Sequence, residues 1–178
     1  MTVTGEGFTP PHLHDYLVKA RARLFDWVRP LSADQYAREF PMGLKTLRAT
    51  MVEIASGEWV YTRRLSGEDM PPPEDRPFTR FAHTGFADLE PVWQRETERT
   101  AGALREIADW TAPVEYVVRP ADRPAIRVQT TTGGIAAQLL FHEVHHRAQA
   151  MAMLRQLGIA AQNLDFSVFM FHRTDLPA

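Results

Sequence analysis

Proline and glycine cut this chain into four long stretches that read as helices, and that punctuation restricts its fold more than any other feature. The first stretch runs from about His12 to Arg29, carries Leu13, Leu17, Ala20, Leu24 and Trp27 (or Val28) on one face, and stops at Pro30. Ser32-Ala33-Asp34-Gln35 predicts a short helical turn before Pro41-Met42-Gly43 breaks the chain again. The second stretch spans about Leu44 to Ser66, with Gly67 as its C-cap. From Gly67 to Gly85 the chain holds Pro71-Pro72-Pro73 and Pro77 and reads as a long irregular loop. The third stretch covers about Phe86 to Trp110 and places Asp88 and Glu90 near its start, where the helix dipole favours acidic side chains. Then the period changes. Val114–Val118 and Ala125–Thr130 are short β-prone runs, and the Arg119–Pro124 segment between them predicts a small hairpin or extended flap. The fourth stretch, from Thr132 or Gly133 to Leu157, ends at Gly158, and an aromatic tail from Leu164 to His172 predicts a short helix or a strap.

Four long helices in 178 residues predict an all-α fold, a four-helix bundle with a small β-hairpin before the last long helix. The length suits a single domain over residues 1–178, with residues 1–11 as a poorly ordered lead. Twenty basic residues face 22 acidic ones for a net charge of −2, with no basic block, which argues against nucleic acid or a membrane surface as partner. No apolar run approaches the ~18 residues of a membrane span, and the N-terminus has no signal-like region, so a cytoplasmic protein is expected. The chain has no cysteine. Disulfides, thiolate ligands and a cysteine nucleophile are thereby excluded, and any metal must be held by His, Asp or Glu. A thiol taking part in the reaction would have to arrive with a substrate or cofactor.

The chemistry concentrates in the fourth helix, at Phe141-His142-Glu143-Val144-His145-His146-Arg147-Ala148-Gln149. Ile135, Leu139, His142, His146, Met153 and Leu157 fall on one helical stripe, which puts His142 and His146 one turn apart on a face that apolar residues seek to bury. Burying two imidazoles costs a few kcal/mol unless something pairs them, and at roughly 6 Å between Cβ atoms both can turn a nitrogen toward one divalent ion. Glu143 points roughly 80–100° from that axis, which suggests a surface role. Trp59, Trp93, Trp110 and Phe141 are expected in the core. The same letters also spell His-Glu-x-x-His, the zinc-protease helix in which the Glu activates water. Context disfavours that reading, because no Glu follows Glu143 and the upstream sheet of such proteases is nearly absent.

The run from His142 to Gln149, entered through Thr130-Thr131-Thr132-Gly133-Gly134, resembles the His-x-x-His-His-Arg-Gly-Gln helix of the DinB-like metalloenzymes. The second-helix stretch Leu47–Trp59, the hairpin and Leu164-Asp165-Phe166 extend the resemblance over most of the chain. In that family a second-helix His within His-Ile-Ala joins the two fourth-helix histidines, and the matching positions here read Glu53-Ile54-Ala55. The resemblance therefore implies a ligand set of Glu53, His142 and His146, a combination competent for catalytic zinc or non-haem iron. A helical wheel alone leaves Glu53 ambiguous, since it lies opposite Leu47, Met51 and Ile54 beside Ala49, Gly57 and Val60. His145 and Gln149, and with them Arg147, are expected behind the ligands, orienting their rings. By resemblance the metal is zinc, nickel, iron or manganese at one end of the bundle, the cosubstrate a low-molecular-weight thiol, and the assembly a homodimer acting on a small molecule. The activity so implied is thiol-dependent S-transfer or metal-dependent hydrolysis. A non-enzymatic metal-binding or stress-related binding module is the alternative, and no catalytic residue is assigned.

Overall fold

The computed structural model describes residues 8–120 and 122–174. Its elements are α1 (Pro10–Val28), α2 (Ala33–Ala37), α3 (Leu47–Leu65), α4 (Phe86–Glu106), β1 (Pro113–Val118), β2 (Ile126–Thr131), α5 (Thr132–Gln156) and α6 (Phe166–Met170). The fold is an all-α four-helix bundle with one small antiparallel hairpin, as the breakers and periodicity predict. Helix α1 nevertheless starts earlier than expected. Pro10 and Pro11 occupy its first positions, where a missing N–H costs nothing, and the Thr9 hydroxyl accepts from His12 N. The expected lead therefore does not reach residue 11, and its residues 1–7 lie outside the described residues. Helix α3 starts three residues later than expected, because Gly43 and Lys45 adopt positive φ and Thr46 caps Ala49 N. The proline-rich connection is a loop with two 3₁₀ turns at Pro73–Asp75 and Thr79–His83.

Helix α1 packs on α4 and α5, and α3 packs on the same two, so the four helices form a ring with α1 and α3 across one diagonal. Leu17, Leu24, Met51, Ile54, Trp93 and Leu154 fill its interior. β1 and β2 pair from Pro113↔Thr131 to Val118↔Ile126, and β2 runs straight into α5, whose N-cap is Thr131. At the base of the hairpin Val114, Trp110 and Tyr116 pack on Leu65, Leu104 and Ile135, which ties it to α3, α4 and α5. The tail is both a helix and a strap. The Tyr16 hydroxyl donates to the Leu164 carbonyl at 2.8 Å, and Phe166 sets its edge on the Tyr16 ring. No helix among the described residues is long and apolar enough to cross a membrane.

The centre of the bundle is charged. Arg21, 3% exposed on α1, pairs with Glu58 of α3 at 2.8 Å and with Glu143 of α5, and donates to Thr97 of α4 at 2.5 Å. Glu58 also accepts from Trp93 Nε1 at 2.6 Å and meets His14 Nε2 at 3.1 Å. Burial alone would raise the Glu58 carboxyl, but Arg21, His14 and Trp93 outweigh it and hold the group at about 2. Arg147 pairs with Glu143 at 3.6 Å and donates to the Tyr16 hydroxyl.

The structure departs from the sequence reading at Glu143, Arg147, Phe141 and Trp110. Glu143 is buried at 3% exposure rather than at the surface, because Arg21 and Arg147 neutralise it. Arg147 faces the core and not the histidine pair. Phe141 is 70% exposed and Trp110 only partly buried, whereas Trp59 and Trp93 are core residues.

Candidate metal centre

Glu53 on α3 and His142 and His146 on α5 bring one possible ligand atom each to within 4.8 Å of one another. His142 Nε2 and Glu53 Oε1 lie 3.4 Å apart. That separation is long for a hydrogen bond, yet it matches the ~3.4 Å between two donors on one tetrahedral ion with bonds near 2.1 Å. The His142 and His146 rings meet edge to face with centroids 4.6 Å apart. The donor set, its spacing and the origin of the donors on facing helices all fit a divalent cation.

The local sequence explains the approach. Gly57 lies one turn after Glu53, and a Cβ there would fall well inside 3.0 Å of the His142 imidazole. Only glycine lets the ring settle against α3. Four residues further on, Tyr61 presents its ring edge-on to His142 at 5.7 Å and accepts from Gln138 Nε2 at 3.4 Å. Glu53, Gly57 and Tyr61 thus form a single α3 stripe facing His142 and Gln138, the small flank that the wheel left ambiguous.

A hydrogen-bond relay stands behind His146. Gln149 Oε1 lies 3.1 Å from His146 Nδ1, and Gln149 Nε2 lies 2.9 Å from His145 Nε2. In the arrangement that satisfies all four atoms, His146 Nδ1–H donates to Gln149, which donates in turn to His145. The lone pair of His146 is then left on Nε2, the state a metal ligand needs. Gly43, at φ 49°, makes room for the amide, because a Cβ there would come within 3 Å of it.

The electrostatics are consistent with this arrangement. The His142 hydrogen bond lowers the Glu53 carboxyl against the opposing effect of burial. Burial lowers the His146 imidazole and favours its neutral form, with only partial opposition from Gln149.

The position of the triad differs from expectation. His142 and His146 are only partly buried, and Glu53 is 47% exposed at its side chain. The core positions of that part of α5 belong to Glu143 and Arg147 instead. The triad therefore occupies the outer flank of the α3–α5 pair, near the middle of α5, and not an end of the bundle. Two cavities, about 470 and 450 Å³, lie elsewhere, one between α1 and α4 and one between α1 and α5. The wheel places Gly57 beside Glu53 but gives no sign of Tyr61 or Gln138, although the four-residue spacing of Glu53, Gly57 and Tyr61 puts all three on one face.

Among known protein families, the sequence model of the DinB family matches residues 1–175. No curated protein matches the chain.

Proposed function

The chain belongs to the DinB family, and on that premise we propose that Glu53, His142 and His146 bind one divalent metal ion that holds a small-molecule substrate. One observation carries this reading: three donors of ligating chemistry, from helices far apart in sequence, converge within 4.8 Å on a partly open flank. Imidazole and carboxylate suit zinc, nickel, iron or manganese. When bound, such an ion lowers the pKa of a coordinated thiol or water and so supplies thiolate or hydroxide near neutral pH. The protein's own part is to fix the donors. Gln149 and His145 set the His146 tautomer, Gly57 admits the His142 ring, and the exposed Glu53 edge leaves access for substrate.

The favoured reaction is S-transfer from a low-molecular-weight thiol, with metal-dependent hydrolysis second. Since the chain has no cysteine, the sulfur must come from the cosubstrate. Peptide hydrolysis through Glu143 is not proposed, because that carboxylate faces Arg21 and Arg147 in the core while His142 faces Glu53. A binding module without turnover is the second reading, favoured by the Glu53–His142 pair, which is close enough to associate without an ion. The proposal extends to a cytoplasmic homodimer of single-domain chains. The exposed Phe141 and Val144 give α5 an apolar outer surface suited to a second copy.

Metal analysis of untagged protein tests the centre: about one equivalent per chain is expected, and loss of it in Glu53→Ala and His142→Ala. Metal well below stoichiometry would instead support the binding module. Metal-loaded protein is then assayed with glutathione, mycothiol and bacillithiol against electrophiles, beside ester substrates. Turnover of esters with no thiol activity would replace the transferase by the hydrolase.

A further inference from the structure

The α3 stripe that meets the triad continues one turn beyond Tyr61 to Arg64. The Arg64 guanidinium lies over two aromatic rings, 5.4 Å from the Tyr61 centroid and 4.1 Å from that of Tyr116 on β1. Tyr61 is the same ring that sets its edge on His142 at 5.7 Å. Arg64 is thus two aromatic contacts from a proposed ligand, and it is only partly buried. Among the described residues it has no acidic partner, in contrast to its neighbour Arg63, which pairs with Glu68 at 2.8 Å and donates to the Asp69 carbonyl. Glu115, beside Tyr116 on the hairpin, is engaged by Arg127 and Gln129.

A guanidinium stacked on aromatic faces has little rotational freedom left, while its N–H donors point outward in its plane. Those donors suit two-pronged recognition of a carboxylate, and the ordering cost is met in advance. The exposed Gln138 amide, bonded to the Tyr61 hydroxyl, lies on α5 between His142 and this end of the stripe.

We propose that Arg64, held by Tyr61 and Tyr116, is the anchor for a carboxylate of the small molecule that binds at the triad. The inference rests on the metal-centre reading for the position of the other end of that molecule. The substrate class is therefore a low-molecular-weight thiol that also carries a carboxylate, lying along the outer flank of the α3–α5 pair with sulfur toward His142 and the acid toward the hairpin. It also assigns the hairpin a task, since Tyr116 is the residue by which β1 reaches the site.

The test compares glutathione with its diethyl ester, which keeps the thiol and loses both carboxylate charges. Metal-loaded wild-type protein should bind glutathione at least tenfold more tightly, about 1.4 kcal/mol, and the preference should shrink with added salt. Arg64→Met should erase that preference and leave diester affinity and metal content unchanged, while Arg64→Lys restores part of it. If Arg64→Met does not fold, Tyr116→Ala should weaken the preference instead. Equal affinity for the two compounds, a preference that survives Arg64→Met, or no saturable binding of glutathione at millimolar concentration overturns the proposal. S-methylglutathione, titrated into metal-free protein by calorimetry, separates the two readings. Arg64-dependent binding in a protein that takes up no metal would retain the anion anchor and discard the metal centre.

Discussion

A Cβ on residue 57 would occupy space now filled by the His142 imidazole, so the smallest possible substitution in α3 acts directly on the candidate site. Gly57→Ala should push the ring away from Glu53 and weaken metal binding at least tenfold, read by competition with a chromophoric chelator. Overpacking of this kind costs about 1–3 kcal/mol, so a lower midpoint in urea should accompany it. His146 supplies a pH dependence. Burial lowers its pKa in the folded chain, so between the folded value and the ordinary one near 6.5 the unfolded chain binds more protons. Stability is therefore full above the ordinary histidine range, falls as pH drops through it, and levels off below the folded pKa. In metal-free protein His146→Gln should flatten that part of the slope, measured by urea unfolding across mildly acidic pH. Glu96 acts with the opposite sign. Burial lifts it to about 7 despite the nearby Arg99, so its contribution is fully present at low pH and declines as pH rises toward 7.

At the scale of elements, the tail depends on one hydroxyl. Tyr16 donates to the Leu164 carbonyl and accepts from Arg147, which links α6 to the charged centre of the bundle. Tyr16→Phe should cost about 1–3 kcal/mol, since it leaves a carbonyl and a buried guanidinium short of a partner. Hydrogen exchange should rise first at residues 164–170. Elements were the most legible level in the sequence, because helices and hairpin are announced by local signals: Pro30, Gly67, the change of period at Val114 and the entry at Thr131. Their ends were less so, since Pro10-Pro11 reads equally well as the close of an extended lead and as a helix's first turn. The inner face of α5 was misread for a different reason. A wheel gives the angle between His142 and Glu143 but not which of them faces inward, and the apolar residues that share the histidine stripe turn Glu143 outward on that wheel. What reverses that choice is Arg21, 122 residues away, which no local pattern reveals. Glu53 was found through family resemblance and not through its own helix, for a related reason. Its neighbour on the facing helix is supplied by α5, and only the absence of a side chain at Gly57 hints at so close an approach.

For the molecule as a whole, metal should behave as a folding ligand. The donors sit on two helices, so an ion that binds only the folded arrangement raises stability by RT ln(1 + [L]/Kd), about 4 kcal/mol at a thousandfold excess over Kd. Stripping the protein with a chelator should lower its melting temperature, and restoring one equivalent should recover it. Glu53→Gln should abolish most of that recovery. A melting temperature indifferent to metal would mean that the triad holds no ion. The charged centre acts on the same scale, although differently. Helices joined only through interchangeable leucines can slide past one another by a turn and find nearly equivalent contacts. Arg21 touches Glu58, Glu143 and Thr97, one on each of the other three long helices. A one-turn slip of α1, about 5.4 Å, would strand a cation and two anions in a medium that cannot solvate them. The molecule is thereby keyed like a lock with a single notch, and the Glu53–His142 gap inherits its tolerance from that notch rather than from the loops.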